Sequence, residues 1–329
     1  MADDSSAAGG WFAVPAPVRS LFKRFPLHTH SAEALPARAP GTARPRARLY
    51  VFVAGDEAEA GRPSHNPSCL KWQTYLRIAG VDVDVVASNN HASPSGALPF
   101  LLPAASDPRP DVPLSGRKIA QYARDRAPRP LPDEDGAPSP ARRDAYLALL
   151  THRIRPAWLH ALYLDPTNTP LLSALYLPPS SLSPLVRGPL AHTLRAAAVA
   201  QVLATTRRPL IDAAALLAEA AAAFRALSAL LAGDAWFFGG DAPGLFDADV
   251  FAYTQLILDD DHHPRSSSGA VLGWGEHGCA LRACLAGFDN LVAHRDALYG
   301  TCWGNEVEKG TPVESRVQPL APLLCSPEQ

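Results

Sequence analysis

The sequence lacks several features that define common classes of protein. Its 329 residues contain five cysteines, an odd number at irregular spacing, which argues against a disulfide framework and fits a reducing compartment. No charge of one sign dominates, because the formal net charge is −2, whereas a general nucleic-acid binder is usually strongly basic. The N-terminal region has no apolar segment of the kind that directs secretion. These absences disfavour a disulfide scaffold, a secreted protein and a nucleic-acid binder.

Long uninterrupted hydrophobic runs are also scarce. Hydrophobic residues make up 47% of the chain, which is ample for a buried core. The best candidate for a membrane span, residues 213–231, contains Glu219 and Arg225. A span needs about 20 apolar residues, and a charge near its centre is costly. The run therefore predicts a core helix, and we expect any membrane attachment to be peripheral.

The most informative stretch is residues 88–102, SNNHASPSGALPFLL. A loop marked by proline and glycine is followed at once by an apolar run, which predicts a turn that leads into a strand. Pro99 has no N–H to donate to a sheet, so we expect it at the first residue of that strand or on an edge. Thioredoxin-like domains place a cis proline at the equivalent point, although cis X-Pro bonds are uncommon in general.

The surrounding sequence indicates the same fold. Residues 48–53 form a short apolar run and predict the first strand. Pro67 opens a helical pattern that ends near Gly80. Residues 81–86, VDVDVV, alternate as a strand with one wet face does, and residues 114–126 predict a second helix. The order β-α-β-loop-β-α is typical of a thioredoxin-like domain.

Two stretches resemble the metaxin family. The first joins the helix NPSCLKWQTYLRIAG to the loop SNNHASPSGALPFLL, and the second is GDAWFFGGDAPGLFDADVFA at residues 233–252. The opening WFAVPAPVRSLFKRFPL is also similar to the smaller metaxin-like subunit of the fungal mitochondrial sorting and assembly machinery, the SAM complex. Metaxins have a glutathione-transferase-like fold. The resemblance therefore implies a thioredoxin-like N-terminal domain followed by an all-helical C-terminal domain.

The domain boundaries are predicted from composition and from this resemblance. The 33 prolines are about twice the average share, so long irregular connections are expected. We predict a basic proline-rich arm at residues 1–47, a thioredoxin-like domain at 48–127, a linker at 128–141, a helical domain at 142–309 and a tail at 310–329. Within the helical domain, a kink is expected at Pro156. Residues 165–184 are expected to form a surface loop, with docking of its leucines on a partner as the alternative.

The transferase chemistry that this fold commonly carries is not matched at two places. Redox enzymes of related fold have a nucleophilic cysteine just before the first helix, where the helix N-terminus lowers the thiol pKa. This chain has Asn66 there, and Cys69 lies a turn inside the helix, where it is predicted to be a small core residue. Transferases also hold glutathione with an acidic residue and a serine at the start of the second helix. Ser115 and Gly116 replace that pair, and Ser115 is instead a candidate N-cap.

Two further sets of polar residues are interpreted as structural. Asp247 follows Gly244 by three residues, and this spacing predicts a helix-capping carboxylate with Gly244 in the cap position. His262, His263, His277, Cys279 and Cys284 match no common zinc spacing, so neither a metal site nor a cofactor is predicted.

The N-terminal arm carries a local excess of positive charge. Residues 19–48 contain seven basic residues and one acid, a net charge of +6. The arm is either a flexible basic tail or a clamp that lies on a protein partner or on anionic lipid headgroups. The residues predicted to make that contact are Trp11, Phe12, Arg19, Leu21, Phe22, Lys23 and Arg24.

The resemblance implies a non-enzymatic role at the mitochondrial outer membrane. The chain would sit on the cytosolic face, cap the membrane-embedded β-barrel core of the sorting machinery, contact a second metaxin-like subunit and help recognise the sorting signals of β-barrel precursors. We expect an extended precursor segment to pair with backbone beside the Pro99 loop. The alternatives are a divergent glutathione transferase acting through Ser68 or Cys69 on a small electrophile, and a purely structural cap. The predicted contact residues are Asn66, Ser93, Pro94, Ser95, Gly96 and Pro99.

Overall fold

The computed structural model describes residues 44–132, 140–177, 184–259 and 274–307, together with Ser20 and Arg24. The chain divides into two units, Met1–Ala43 and Arg44–Gln329, and the description below concerns the second. Of the arm residues predicted to contact a partner or lipid, Arg24 alone is described, and it is exposed. Trp11, Phe12, Arg19, Leu21, Phe22, Lys23, His262, His263 and the predicted tail lie outside the described residues.

The N-terminal strands and helices follow the predicted order β-α-β-loop-β-α, with one additional short helix, Gly55–Glu59, after the first strand. The N-terminal elements are β1 (Ala47–Val51), α1 (Gly55–Glu59), α2 (Pro67–Ile78), β2 (Val83–Ala87), β3 (Phe100–Leu102) and α3 (Arg117–Arg126). The remaining helices are α4 (Pro140–Leu149), α5 (Arg155–Leu159), α6 (Thr169–Tyr176), α7 (Pro184–Thr206), α8 (Ala213–Leu231), α9 (Leu245–Leu258), α10 (Glu276–Ala286) and α11 (Asp289–Val307).

The described strands form one sheet in the order β2-β1-β3. β1 pairs with β2 in parallel, with Leu49 opposite Val85, and with β3 antiparallel, with Leu49 opposite Leu101. β1 pairs on both sides and so lies at the centre of the sheet, and its alternate residues are buried. All five residues of β2 are half-buried, and the clean wet face predicted from VDVDVV is not observed, because β2 is the outer strand and both its faces are partly covered.

Helix α2 begins and ends where its sequence predicts. Asn66 is its N-cap, Pro67 occupies the first turn, and Gly80 follows the end with a φ of 66°, a backbone conformation that glycine adopts without strain. The helix buries Leu70, Tyr75 and other apolar side chains against the sheet and the helical part of the chain.

The helix containing Pro156 changes its hydrogen-bonding pattern where a kink was predicted. Segments of π-helix, Leu150–Ile154 and His160–Leu164, lie on either side of α5. Proline has no N–H to donate, so the regular α-helical bonding is interrupted near it.

Residues 165–177 correct the prediction of a surface loop. A short 3₁₀ turn, Pro166–Asn168, leads into α6, in which Leu171 and Leu172 are only 2% and 1% exposed. The Oδ1 atom of Asp165 accepts a hydrogen bond from the Thr167 N–H at 2.9 Å and so fixes the turn. These leucines belong to the hydrophobic core and are not available for docking on a partner.

Helix α8 is long and apolar enough, by length and composition, to cross a membrane, and no other described helix meets that criterion. One face of the helix packs into the hydrophobic core. Ala220 and Phe224 are fully buried on its inner face. Glu219 forms ion pairs with Arg153 at 2.9 Å and with Arg208 at 2.6 Å, so its negative charge has partners within the fold.

Candidate functional site

The start of α2 occupies the position at which related redox folds carry their nucleophile. The Oδ1 atom of Asn66 accepts hydrogen bonds from the N–H groups of Ser68 at 3.0 Å and Cys69 at 3.3 Å. Its Nδ2 donates to the Tyr176 hydroxyl at 3.3 Å, and that hydroxyl donates to the His65 carbonyl at 3.2 Å. The Asn66 amide therefore caps the helix and ties it to α6.

The groups around this helix start are held in their neutral forms. Cys69 is completely buried, as predicted, and burial raises the pKa of its thiol to about 12. Burial also raises the pKa of Tyr163 to about 12 and lowers the pKa of His65 to about 3. A reactive cysteine needs a thiol pKa below its ordinary value. The environment of Cys69 produces the opposite shift, so this thiol is not an activated nucleophile.

The start of α3 differs from the predicted cap. Gly116 is the N-cap residue, with a φ of 54°, and as a glycine it has no side chain with which to cap the first turn. Ser115 is exposed and contributes its carbonyl, which accepts from the Lys118 N–H at 3.2 Å. The prediction that Ser115 is the N-cap is therefore wrong, because the positive φ of Gly116 lets the helix begin one residue later.

The loop before β3 is held by hydrogen bonds within itself. The Ser93 hydroxyl donates to the Ala97 carbonyl at 2.6 Å, and the Ser95 hydroxyl donates to the same carbonyl at 3.2 Å. The Gly96 N–H donates to the Ser93 carbonyl at 3.0 Å. Ser93 is buried beneath the turn, and Pro94, Ser95 and Gly96 are exposed at its tip.

Pro99 lies immediately before β3, in a cis peptide bond with Leu98, as the loop pattern suggested. It is buried. The Leu98 N–H donates to the Asn90 Oδ1 atom at 3.0 Å. The structure thus brings the predicted loop residues together into one compact turn, while the bonds of Asn66 go to the start of α2 and to Tyr176.

The outer side of β3 offers no backbone donor for an added strand within the described residues. Leu101 exchanges both of its backbone bonds with Leu114, each at 2.8 Å. Pro99 and Pro103, which point the same way as Leu101 along the strand, have no N–H. The expected pairing of an extended peptide beside Pro99 is therefore not available on β3 itself.

Asp247 has the structural role that was predicted, and it has a partner that the sequence did not reveal. Its carboxylate accepts from the Gly244 N–H at 2.8 Å, the Phe237 N–H at 2.9 Å and the His294 Nε2 atom at 2.9 Å. Asp247 and His294 are both buried. His294 lies 47 residues further along the chain, and no local pattern links it to Asp247.

His277 contacts an acidic side chain and a second histidine. Its Nδ1 atom lies 3.0 Å from the Asp165 Oδ2 atom, and its ring lies against that of His160 with centroids 4.9 Å apart. The Thr167 and His277 hydrogen bonds outweigh burial and lower the pKa of Asp165.

Two family models match the chain. Residues 67–168 match the glutathione S-transferase N-terminal domain, and residues 220–298 match the glutathione S-transferase C-terminal domain. The chain has a glutathione-transferase-like fold. The predicted fold class, a thioredoxin-like N-terminal domain followed by a helical domain, is confirmed.

Among curated proteins, the chain is similar to metaxin-3 of Xenopus laevis, with 34% identity over 110 residues. The aligned part is 33% of this chain and 33% of that protein, so the match spans about a third of the relative's length. Together with the two domain matches, it supports a metaxin-like or glutathione-transferase-like family.

Solved structures of similar shape include a beta-etherase and a glutaredoxin. Beta-etherase LigF from Sphingobium sp. strain SYK-6 is 12% identical, with 80% of this chain and 99% of that chain covered and a TM-score of 0.47. Glutaredoxin 2 from Salmonella typhimurium, in complex with glutathione, is 17% identical, with 80% and 97% covered and a TM-score of 0.46.

Proposed function

We propose that this protein is a non-enzymatic subunit of the mitochondrial outer-membrane sorting and assembly machinery. It lies on the cytosolic face as a peripheral protein, caps the β-barrel core subunit, contacts a second metaxin-like subunit and helps recognise and insert β-barrel precursors. The observation that carries this proposal is the similarity to a metaxin over a third of the chain. The chemistry at the start of α2 supports it.

Three features, two at the start of α2 and one at the start of α3, favour a binding role over catalysis. The place of the nucleophile is taken by Asn66, whose amide oxygen already accepts two backbone hydrogen bonds. The nearby thiol of Cys69 is buried, and its pKa is raised to about 12. Ser115 and Gly116 stand where transferases place an acidic residue and a hydroxyl. Each change removes a different part of a glutathione site.

The exposed tip of the Ser93 loop is the surface we propose for contact with a precursor or partner subunit. Pro94, Ser95 and Gly96 protrude from a turn that is fixed by its own hydrogen bonds, so the surface is preorganised and binding costs little ordering. The basic arm supplies a second contact, with the barrel core or with anionic lipid headgroups.

The proposal is tested by import into isolated mitochondria. Mitochondria depleted of this chain should take up a radiolabelled β-barrel precursor but fail to assemble it, while import of a matrix protein proceeds normally. Wild-type protein supplied from a plasmid should restore assembly. Normal assembly in depleted mitochondria would overturn the proposal.

Contact at the loop is tested with a photo-crosslinking residue placed at Ser95. An arrested precursor or a partner subunit should crosslink there, whereas the same residue placed at the exposed Arg109 should give no product. If no crosslink forms at either position, the loop is not a contact surface, and the proposed assembly role is unaffected.

The alternative is a divergent glutathione transferase acting through Ser68 or Cys69. The two domain matches are to glutathione S-transferases, so purified protein should be assayed for conjugation of glutathione to a small electrophile. Turnover that is lost in Ser68→Ala or Cys69→Ala would favour this alternative.

A further inference from the structure

Among the residues that the structure describes, β2 is an outer strand of the sheet with an unpaired edge. β2 stands first in the order β2-β1-β3, and within the described residues no strand pairs with its outer side. An edge of this kind presents a row of backbone N–H and C=O groups that can template another strand.

The register identifies which residues of β2 point outward. The Ser88 N–H donates to the Val51 carbonyl at 2.9 Å, and Leu49 lies opposite Val85. Backbone groups point to alternate sides along a strand, so Asp84 and Val86 bond to β1. Val83, Val85 and Ala87 therefore direct their N–H and C=O groups away from the sheet.

A groove of about 950 Å³ runs beside this edge. Its lining includes all of residues 81–85, the end of α1 with the turn at residues 58–62, and the end of α11 with Tyr299 and Trp303. Three consecutive residues of β2, Val83–Val85, line the groove, so the groove runs along the first part of the strand's edge.

The groove carries equal numbers of positive and negative side chains, and two of its arginines have partners within the protein. Arg46 pairs with Asp82 at 3.0 Å. The Arg77 guanidinium donates to the carbonyls of Cys302 at 2.6 Å and Gly61 at 2.8 Å, and it lies over the Trp303 ring. The lining carries Arg46, Arg62 and Arg77 against Glu59, Asp82 and Asp84. With these charges balanced, the groove favours a ligand recognised through its main chain over a strongly charged one.

Side chains along β2 set the pattern of a matching strand. Val83, Val85 and Ala87 pack against the hydrophobic core, whereas Asp84 and Val86 belong to the other face. If a strand added beside β2 has an apolar residue at every second position, those residues lie next to Val83, Val85 and Ala87. Strands of membrane β-barrels have this alternating pattern.

We propose that the outer edge of β2 binds one extended segment of a β-barrel precursor as an added strand. This inference rests on the proposed function and places precursor recognition on β2, where the unpaired edge lies, and not on β3. Main-chain hydrogen bonds from Val83, Val85 and Ala87 hold the segment, and the alternating side chains select for an amphipathic strand.

The binding test uses a fluorescein-labelled peptide of about ten residues with alternating valine and threonine, the length of a membrane-spanning strand. Fluorescence anisotropy should show saturable binding to the full chain. Two control peptides are N-methylated at every second residue, one at the odd and one at the even positions. In each of them the methyl groups block one edge of the peptide, and the peptide should still bind through its other edge. Methylation of both edges should weaken binding by about tenfold or more.

A matched pair of variants tests the protein side. Val85→Pro removes an outward N–H, a change that edge strands tolerate, and should weaken peptide binding by about tenfold or more. Val85→Thr keeps the N–H at nearly the same volume and should bind within about twofold of wild type. Circular dichroism checks the fold, and if Val85→Pro does not fold, the N-methylated peptides decide the question.

The outcomes separate this inference from the proposed function. Equal affinity of the doubly methylated and unmodified peptides would overturn the β2 site. Precursor crosslinks that form in mitochondria only at Ser95 in the loop would also overturn the β2 site. Neither result would contradict the proposed assembly role. Normal β-barrel assembly in depleted mitochondria would overturn the assembly role itself, whatever the peptide does.

Discussion

Asn66 connects two parts of the fold through a single amide group. Its oxygen caps α2, and its nitrogen donates to Tyr176 in α6. A cysteine at this position would lie at the helix N-terminus, where a thiolate is stabilised. The amide takes the same backbone donors without acquiring charge, so Asn66 caps the helix and offers no thiol at this position.

Cys69 should be unreactive in the folded protein. Its side chain is fully buried and the pKa of the thiol is raised to about 12, so at pH 8 the reactive thiolate is about one part in ten thousand. We expect iodoacetamide to modify Cys69 at least about 100-fold more slowly in native protein than in urea, as measured by mass spectrometry. Equal rates in the two conditions would show that the thiol is accessible.

His65 should make the protein sensitive to acid. Its ring lies against Phe52 and Tyr176, and its buried Nε2 atom has no hydrogen-bond partner among the described residues. In the folded protein, burial lowers the pKa of His65 from 6.5 to about 3. Between these values the unfolded chain binds a proton that the folded protein does not, so stability falls as the pH drops below 6.5.

The loss of stability at low pH comes from one proton, which His65 binds in the unfolded chain but not in the folded protein. The free energy of unfolding should fall by up to about 1.4 kcal/mol per pH unit below 6.5. In urea titrations between pH 6.5 and 4, the free energy of unfolding of His65→Phe should fall less steeply with decreasing pH than that of the wild type. The exposed His91 provides the control, since His91→Gln should keep the wild-type slope. Parallel profiles for wild type and His65→Phe would refute this account.

At the scale of elements, the start of α9 depends on one buried carboxylate. Asp247 accepts three hydrogen bonds, from Gly244, Phe237 and His294, and so joins the helix start to the preceding turn and to α11. Removal of one member of a buried pair leaves the other without its partner, which is more costly than loss of a surface contact.

Asp247→Ala should therefore lower the free energy of unfolding by about 3–5 kcal/mol. Asp241 lies in the same segment but is exposed, and Asp241→Ala should change stability by less than about 0.5 kcal/mol. Urea denaturation followed by circular dichroism measures both. Similar, small losses for the two variants would mean that Asp247 does not organise this region.

Elements with strong local signals were the ones that the sequence predicted well. Asn66, Pro67 and Gly80 mark the two ends of α2, and the loop pattern before Phe100 located β3 and the cis bond at Pro99. These signals act over a few residues, so they can be read without the rest of the fold.

Features that depend on distant contacts could not be predicted in the same way. Helix α6 is rich in proline and small residues at its borders, and it forms because Leu171 and Leu172 are buried by the rest of the chain. The candidate site was predictable in part: the residues of the Ser93 loop were identified, but the Leu114 bridge that occupies the outer side of β3 joins segments with no shared pattern. Because that bridge occupies the outer side of β3, the unpaired edge among the described strands is that of β2.

For the whole molecule, a glutathione-transferase-like fold is combined with a helix start at which the Cys69 thiol is buried and its pKa is raised to about 12. The described core is continuous between the sheet and the helices, because buried residues of β1, α2, α5, α8 and α9 belong to one cluster. Such a body suits an assembly subunit, since a rigid scaffold holds an exposed loop and an exposed strand edge in fixed positions.

The most direct test of the central claim is a pull-down of tagged protein from mitochondria in mild detergent, with quantitative mass spectrometry. In parallel, purified protein is passed over immobilised glutathione. The account predicts recovery of an outer-membrane β-barrel protein and a second metaxin-like chain in stoichiometric amounts, with no retention on glutathione. A monomer or self-dimer that binds glutathione and brings down no membrane partner would contradict the account and direct attention to Ser68 and Cys69.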